Sequence, residues 1–157
     1  MLNLNFIDMK NWIITFALLC AFSINAQISF RTGIVQMDRD LNTINTQASL
    51  NFDTYKSNLS VTYNTPVSKI DYMRQRLNMV PGEIYLALEI GRISRTNIDN
   101  VLTVYRRDKD NGWGHIAKEL GIKPGSSEFH QLKNNVSSKK NKSKGKSKNK
   151  SKGKKKK

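Results

Sequence analysis

The chain has 157 residues, 27 Lys and Arg against 12 Asp and Glu, a formal charge of +15 and one cysteine. That length allows one modest globular domain, and a lone thiol excludes an intramolecular disulfide framework and a cysteine-built zinc site. The charge invites a nucleic-acid reading until it is located: residues 137–157 hold 12 lysines and no acid, whereas residues 27–136 hold 14 basic and 11 acidic side chains, a net of about +3.

Residues 1–26 read as a secretory signal peptide. Lys10 precedes an apolar run from Trp12 to Phe22, and Ala26-Gln27 supplies a small residue at the cut. The run falls short of the roughly 20 apolar residues that span a bilayer as a helix. Met9-Lys10 makes a more ordinary start than Met1, since Asp8 precedes the positive end. Cys20 follows the bulky Leu19, which argues against lipid attachment and leaves the mature chain without a thiol. The expected location is therefore periplasmic or secreted.

Residues 27–37 carry too little pattern to assign and read as an irregular arm or one short strand. Periodicity begins with Leu41, Ile44, Ala48, Phe52, Tyr55 and Leu59, spaced for one face of a helix, with a break expected near Asn51. Thr65-Pro66 predicts a helix start, with the threonine as cap and Val67, Ile70, Met73 and Leu77 inward. Pro81 opens the next helix, Glu83 lies in its first turn, and Ile84 to Ile90 are apolar nearly all round, so this helix belongs at the centre. Thr96 and Asp99 have capping-box spacing ahead of Ile98, Val101, Leu102 and Tyr105. Asp110-Asn111-Gly112 is turn chemistry, Trp113, Ile116, Ala117 and Leu120 repeat the helical step, and Gly121 suits a left-handed helix end. A turn over Lys123-Pro124-Gly125-Ser126 precedes a short last helix ending near Lys133. The expected architecture is all-α: one small bundle of five to seven short helices over residues 38–133.

The stretch Gly112-Trp113-Gly114-His115-Ile116-Ala117-Lys118-Glu119-Leu120-Gly121-Ile122-Lys123-Pro124-Gly125-Ser126-Ser127-Glu128-Phe129-His130-Gln131-Leu132-Lys133 resembles the closing signature of a family of small exported bacterial helical proteins. Pro81 to Leu88 and Val101 to Tyr105 fit the family's layout, a proline-opened apolar helix and then a Val-Leu-x-x-Tyr helix. The resemblance implies export and a helical architecture and supplies no chemistry, since the family has no established activity. Physically the motif describes a joint. Gly112 and Gly114 let the backbone turn around Trp113, Gly121, Pro124 and Gly125 shape the second turn, and Phe129 and Leu132 fold the last helix onto the bundle.

Three constellations compete for these residues. Ile116-Ala117-x-x-Leu120-Gly121 resembles the first half of a DNA-binding helix-turn-helix, but Ser127 stands where the second helix needs an apolar residue, and export removes the chain from the chromosome. His115 and Glu119 are four apart and so share a helix face, with His130 on another helix, yet the chain has no HExxH, no His-rich tract and no Gly-x-Ser-x-Gly elbow. Tyr85, Tyr105 and Trp113 with Arg92, Arg95, Arg106 and Arg107 form a candidate face for an anionic or peptide ligand, although cations at helix C-terminal ends are favoured by the dipole anyway. No catalytic residue, metal ligand or cofactor is expected.

Residues 134–157 read as a disordered lysine-rich tail, because Ser137 onward offers only Ser, Lys, Asn and Gly and no apolar surface to offset ordering. Its lysines, Lys139, Lys140, Lys142, Lys144, Lys146, Lys148, Lys150, Lys152, Lys154, Lys155, Lys156 and Lys157, are candidate contacts for anionic envelope polymers or lipids and for extracellular DNA. Lysine is a point charge without arginine's bidentate geometry, which favours delocalised attraction. On this reading residues 137–157 are removable without effect on helicity or melting.

Overall fold

The computed structural model describes residues 28–148, and the side chains of residues 28–142. The expected signal peptide and Lys150, Lys152, Lys154, Lys155, Lys156 and Lys157 lie outside the described residues. Within them the chain is all-helical, with seven α-helices and no strand: α1 Val35–Ser49, α2 Phe52–Tyr63, α3 Val67–Gln75, α4 Pro81–Ser94, α5 Ile98–Asp108, α6 Trp113–Glu119 and α7 Ser127–Lys148, with a 3-10 turn at Lys109–Asn111.

Eleven of the fourteen residues of α4 are buried, which makes it the axis of the bundle. Glu83 starts it as the sequence suggested, its carboxylate accepting from the Val80 amide at 3.0 Å. The apolar stripe from Leu41 to Leu59 divides at Leu50, and the Asn51 side chain caps α2 by accepting from the Thr54 amide at 3.1 Å. Two other caps fall one residue later than expected. The Thr65 hydroxyl donates back to the Tyr63 carbonyl, and α3 begins after Pro66, whose own carbonyl accepts from Lys69. The Thr96 hydroxyl turns back to Ser94, and Asn97 caps α5 through the Asp99 amide at 2.8 Å. Val67, expected inside, is 41 % exposed, because the first turn of α3 stands clear of the core that Ile70 and Met73 enter.

The arm, residues 28–34, has no regular structure but is tied at both sides, and α1 takes up the last three residues of the expected arm. Asp38 of α1 accepts from the Thr32 amide and hydroxyl, and Asn42 donates to the Ile28 carbonyl. On the other side the Phe30 and Arg31 carbonyls accept from the amides of Trp113 and Gly114 at 3.0 and 3.1 Å. Phe30 is 1 % exposed and lies against Gly82 of α4. The glycines around Trp113 therefore serve approach as well as turning: a Cβ on Gly114 would stand 2.8 Å from the Thr32 carbonyl oxygen, and one on Gly112 2.5 Å from the Arg31 Cβ. Gly121 and Gly125 take φ of +88° and +83° in the turn before α7.

The last helix corrects the expected domain boundary. Residues 134–142 are helical and continue α7, so the compact part does not stop at Lys133 and a disordered tail does not begin at 134. Leu132 and Val136 are 2 % and 0 % exposed, and the stripe they begin continues through Lys139 and Lys140, three and four residues on. Helix α7 packs along α1 and α4.

Two substitutions test the arm. Gly114→Ala is expected to push the arm off α6 and destabilise the chain by about 1–3 kcal/mol, and Phe30→Ala to cost about 3–5 kcal/mol. Urea denaturation gives both values, and limited proteolysis should open new cuts between residues 28 and 34 in Gly114→Ala alone at low urea. Wild-type stability in Gly114→Ala would show that the arm does not need the glycine.

Candidate functional site

The lysine-bearing helix is held by two buried carboxylates that sequence reasoning passed over. Glu89, on α4, is 2 % exposed. Its oxygens accept from the Tyr63 hydroxyl at 2.5 Å, from the Asn135 amide of α7 at 2.5 Å, and from the Arg92 guanidinium. One carboxylate thus joins α2, α4 and α7. Asp40, on α1, is 4 % exposed and accepts from Gln36 and from Lys140, both at 2.8 Å. The Lys139 ammonium stands 5.1 Å from the Tyr55 ring centre and 5.6 Å from that of Tyr85, an arrangement in which the aromatic quadrupoles attract the cation.

The phenols of this cluster are held neutral. Burial raises the hydroxyl pKa of Tyr55 well above its ordinary value and raises those of Tyr63 and Tyr85 strongly; Tyr85 adds to the effect at Tyr55 and Tyr63, and the Glu89 charge adds to it at Tyr63 and Tyr85. Neutral, they donate: Tyr63 to Glu89, and Tyr55 to the Pro81 carbonyl at 3.2 Å. Outside this cluster, Tyr105 of α5 stacks on Trp113 of α6 at 5.2 Å and is pushed up to about 12, chiefly by burial.

Of the expected polyanion contacts, then, Lys139 and Lys140 face the domain. Lys142 is exposed, Lys144, Lys146 and Lys148 occupy positions on the outer part of α7, and Lys150 to Lys157 lie outside the described residues. The motif residues are brought together: Trp113 is buried, with its indole donating to Glu83 at 3.2 Å, and Gly112 and Gly114 seat the arm. The proposed aromatic and arginine face is not formed. Tyr85, Tyr105 and Trp113 are all buried, Arg92 is committed to Glu89, and Arg107 pairs with Asp108 and Glu119. His130 is exposed, edge-on to Phe129, and Glu119 of the His115 pair turns to Arg107. Among the described residues no group of three or more His, Cys, Asp and Glu side chains gathers as metal ligands would, and no helix is long and apolar enough to cross a membrane.

Signals for the missed residues were present. Glu89 is the one carboxylate inside an otherwise apolar run, and Asp40 falls on the inward stripe between Met37 and Ile44. No family model matches the chain, and neither does a curated protein or a solved structure.

Removing one partner of a buried ion pair leaves the other charge uncompensated. Lys140→Met is accordingly expected to destabilise by about 3 kcal/mol, whereas Lys142→Met should leave the urea midpoint where it is; equal effects would place both lysines in the same environment. The phenols set a second expectation. Their folded pKa values lie above the unfolded value of about 10, so their contribution is complete below pH ~10 and is lost as pH rises toward the folded values. Melting temperature should fall steeply above pH ~10, with tyrosinate absorbance appearing together with unfolding. Early titration of these tyrosines in the folded protein would contradict their burial.

Proposed function

We propose that the chain is an exported, non-enzymatic structural or interaction module held to anionic envelope polymers or lipids by its C-terminal lysines, and that its resemblance to the exported helical family through Gly112–Lys133 reflects common descent. The observation that carries this reading is the junction in α7. Two of the twelve lysines are spent on the fold through Asp40 and the Tyr55 and Tyr85 rings, and the ten from Lys142 onward follow directly from that anchored helix with no acid among them.

The spacing favours diffuse attraction over a shaped site. At 142, 144, 146 and 148 the lysines recur every second residue, which suits no single face of a helix with 3.6 residues per turn. Like charges four apart on a helix oppose one another by about 0.2–0.5 kcal/mol per pair, so a surrounding polyanion would relieve the outer part of α7. With Tyr85, Tyr105 and Trp113 buried and no aromatic residue within residues 137–157, the basic segment carries no platform for stacking on unpaired bases, which favours envelope material over single-stranded nucleic acid.

The deletion that tests this starts at Lys142, not at Ser137, because removing Lys139 and Lys140 would also strip Asp40 of its cationic partner and leave it Gln36 alone. Full-length protein should be retained on vesicles containing anionic phospholipid and on isolated anionic envelope polymer at low salt, and released as salt rises. The chain lacking residues 142–157 should not be retained, with its melting unchanged. Retention that is indifferent to salt, or that survives the deletion, would sink the proposal. Duplex DNA serves as a comparison, with a salt slope of about 0.9 per neutralised phosphate; retention on DNA alone would replace envelope by nucleic acid. N-terminal sequencing of envelope-associated protein should begin at Gln27, and a chain still starting at Met1 or Met9 would remove export from the reading.

A further inference from the structure

The signature stretch does more than turn the chain. Between the arm, α1, α4, α6 and α7 lies a cavity of about 140 Å³, and more than half of its lining comes from residues 113–132. Close packing leaves few voids larger than a water molecule in protein interiors. Here the walls are Met37, Leu86, Ile90, Ala117, Ile122 and Leu132, all buried apolar side chains. Two polar side chains reach the lining, and both are committed elsewhere. The Thr32 hydroxyl donates to Asp38 at 2.6 Å and accepts from the Ile34 amide, and the Trp113 indole donates to Glu83. A water held there would need two to four polar partners that the side chains do not offer. An engineered cavity of about 150 Å³ with similar Leu, Ile and Phe walls stays dry and takes benzene or xenon.

We propose that this cavity is a binding site for a compact apolar molecule of about the size of benzene. Its open side is where Gly33 and Pro124 line it, since both are exposed and Phe129 beside them is half-buried. Gly33, at φ +81° with nothing within 4 Å of where its Cβ would be, leaves that mouth clear. The arm, clamped through Phe30 and Arg31 to α6, forms one wall, so the glycines that seat it also shape the site. This is independent of the lysines and of any envelope attachment.

The test uses the full chain and benzene itself. Titration toward the solubility limit should shift the methyl resonances of Met37, Leu86, Ile90 and Leu132, leave those of Leu59 and Ile70 in place, and raise the melting temperature. Phenol should produce smaller shifts at equal concentration, because its hydroxyl would meet no partner. Ala117→Leu fills the space and should abolish both effects. If that variant fails to fold, Ile34→Phe at the half-buried rim is expected to weaken binding at least tenfold. Leu86→Ala should enlarge the site and admit naphthalene, which the natural chain should refuse. Absence of shifts at saturating benzene, shifts spread over the whole molecule, or binding undiminished in Ala117→Leu and in Ile34→Phe would each overturn the proposal.

Discussion

Between Ile84 and Ile90 helix α4 has no face open to water, and that constraint organises the molecule. From Ile84 to Ile90 its residues are buried on every side, so each other segment must lay an apolar stripe against it or against a segment that already does. Full burial of one Leu or Ile side chain is worth about 1.5–3 kcal/mol, and the sole thiol, Cys20, cannot make an internal crosslink to supplement it. Coverage must therefore be complete. The arm supplies Phe30 over Gly82 at the start of the helix, and α7 supplies Leu132 and Val136 along its flank.

Apolar burial is non-directional, so it does not by itself choose the register at which α7 lies against α1 and α4. Glu89 and Asp40 do. A buried carboxylate is tolerated only with its charge and lone pairs matched, and each of these draws one partner from α7, Asn135 and Lys140. Two polar fastenings five residues apart on one helix admit a single axial position. Tyr63, kept protonated by burial, donates to Glu89 from α2, so the same carboxylate aligns a third element.

Much of this was readable from residue spacing. The divided stripe of α1 and α2, the central place of α4 and the left-handed glycine after α6 all follow from where apolar residues, prolines and glycines fall. The caps at Thr65 and Thr96 were misplaced because a hydroxyl beside Pro66 or Asn97 satisfies the same rule one residue early, and only geometry tells which oxygen meets an amide. The seat of the arm was out of reach for a different reason. Gly112 and Gly114 have an evident turning role, and nothing local reveals that residues 30–32, some eighty positions away, lie against them. The end of α7 was misjudged through averaging, since a count over residues 137–157 reports only lysine and small polar residues and conceals the two positions that continue the stripe of Leu132 and Val136.

Lysine shows why averaging fails. Its stem is apolar and its charge sits at the tip, so a lysine can extend an inward stripe wherever a carboxylate or an aromatic face waits for the ammonium. Lys139 and Lys140 meet both conditions, with Tyr55, Tyr85 and Asp40 contributed by three other helices. Lys142 lies one step off that stripe and is exposed. The division between a lysine that folds the chain and one that faces outward thus runs through a single helix and is decided by rotation about its axis. Because that helix also carries Asn135 to Glu89, the segment from which the basic run continues is fastened to the domain through both buried carboxylates and not merely by sequence adjacency.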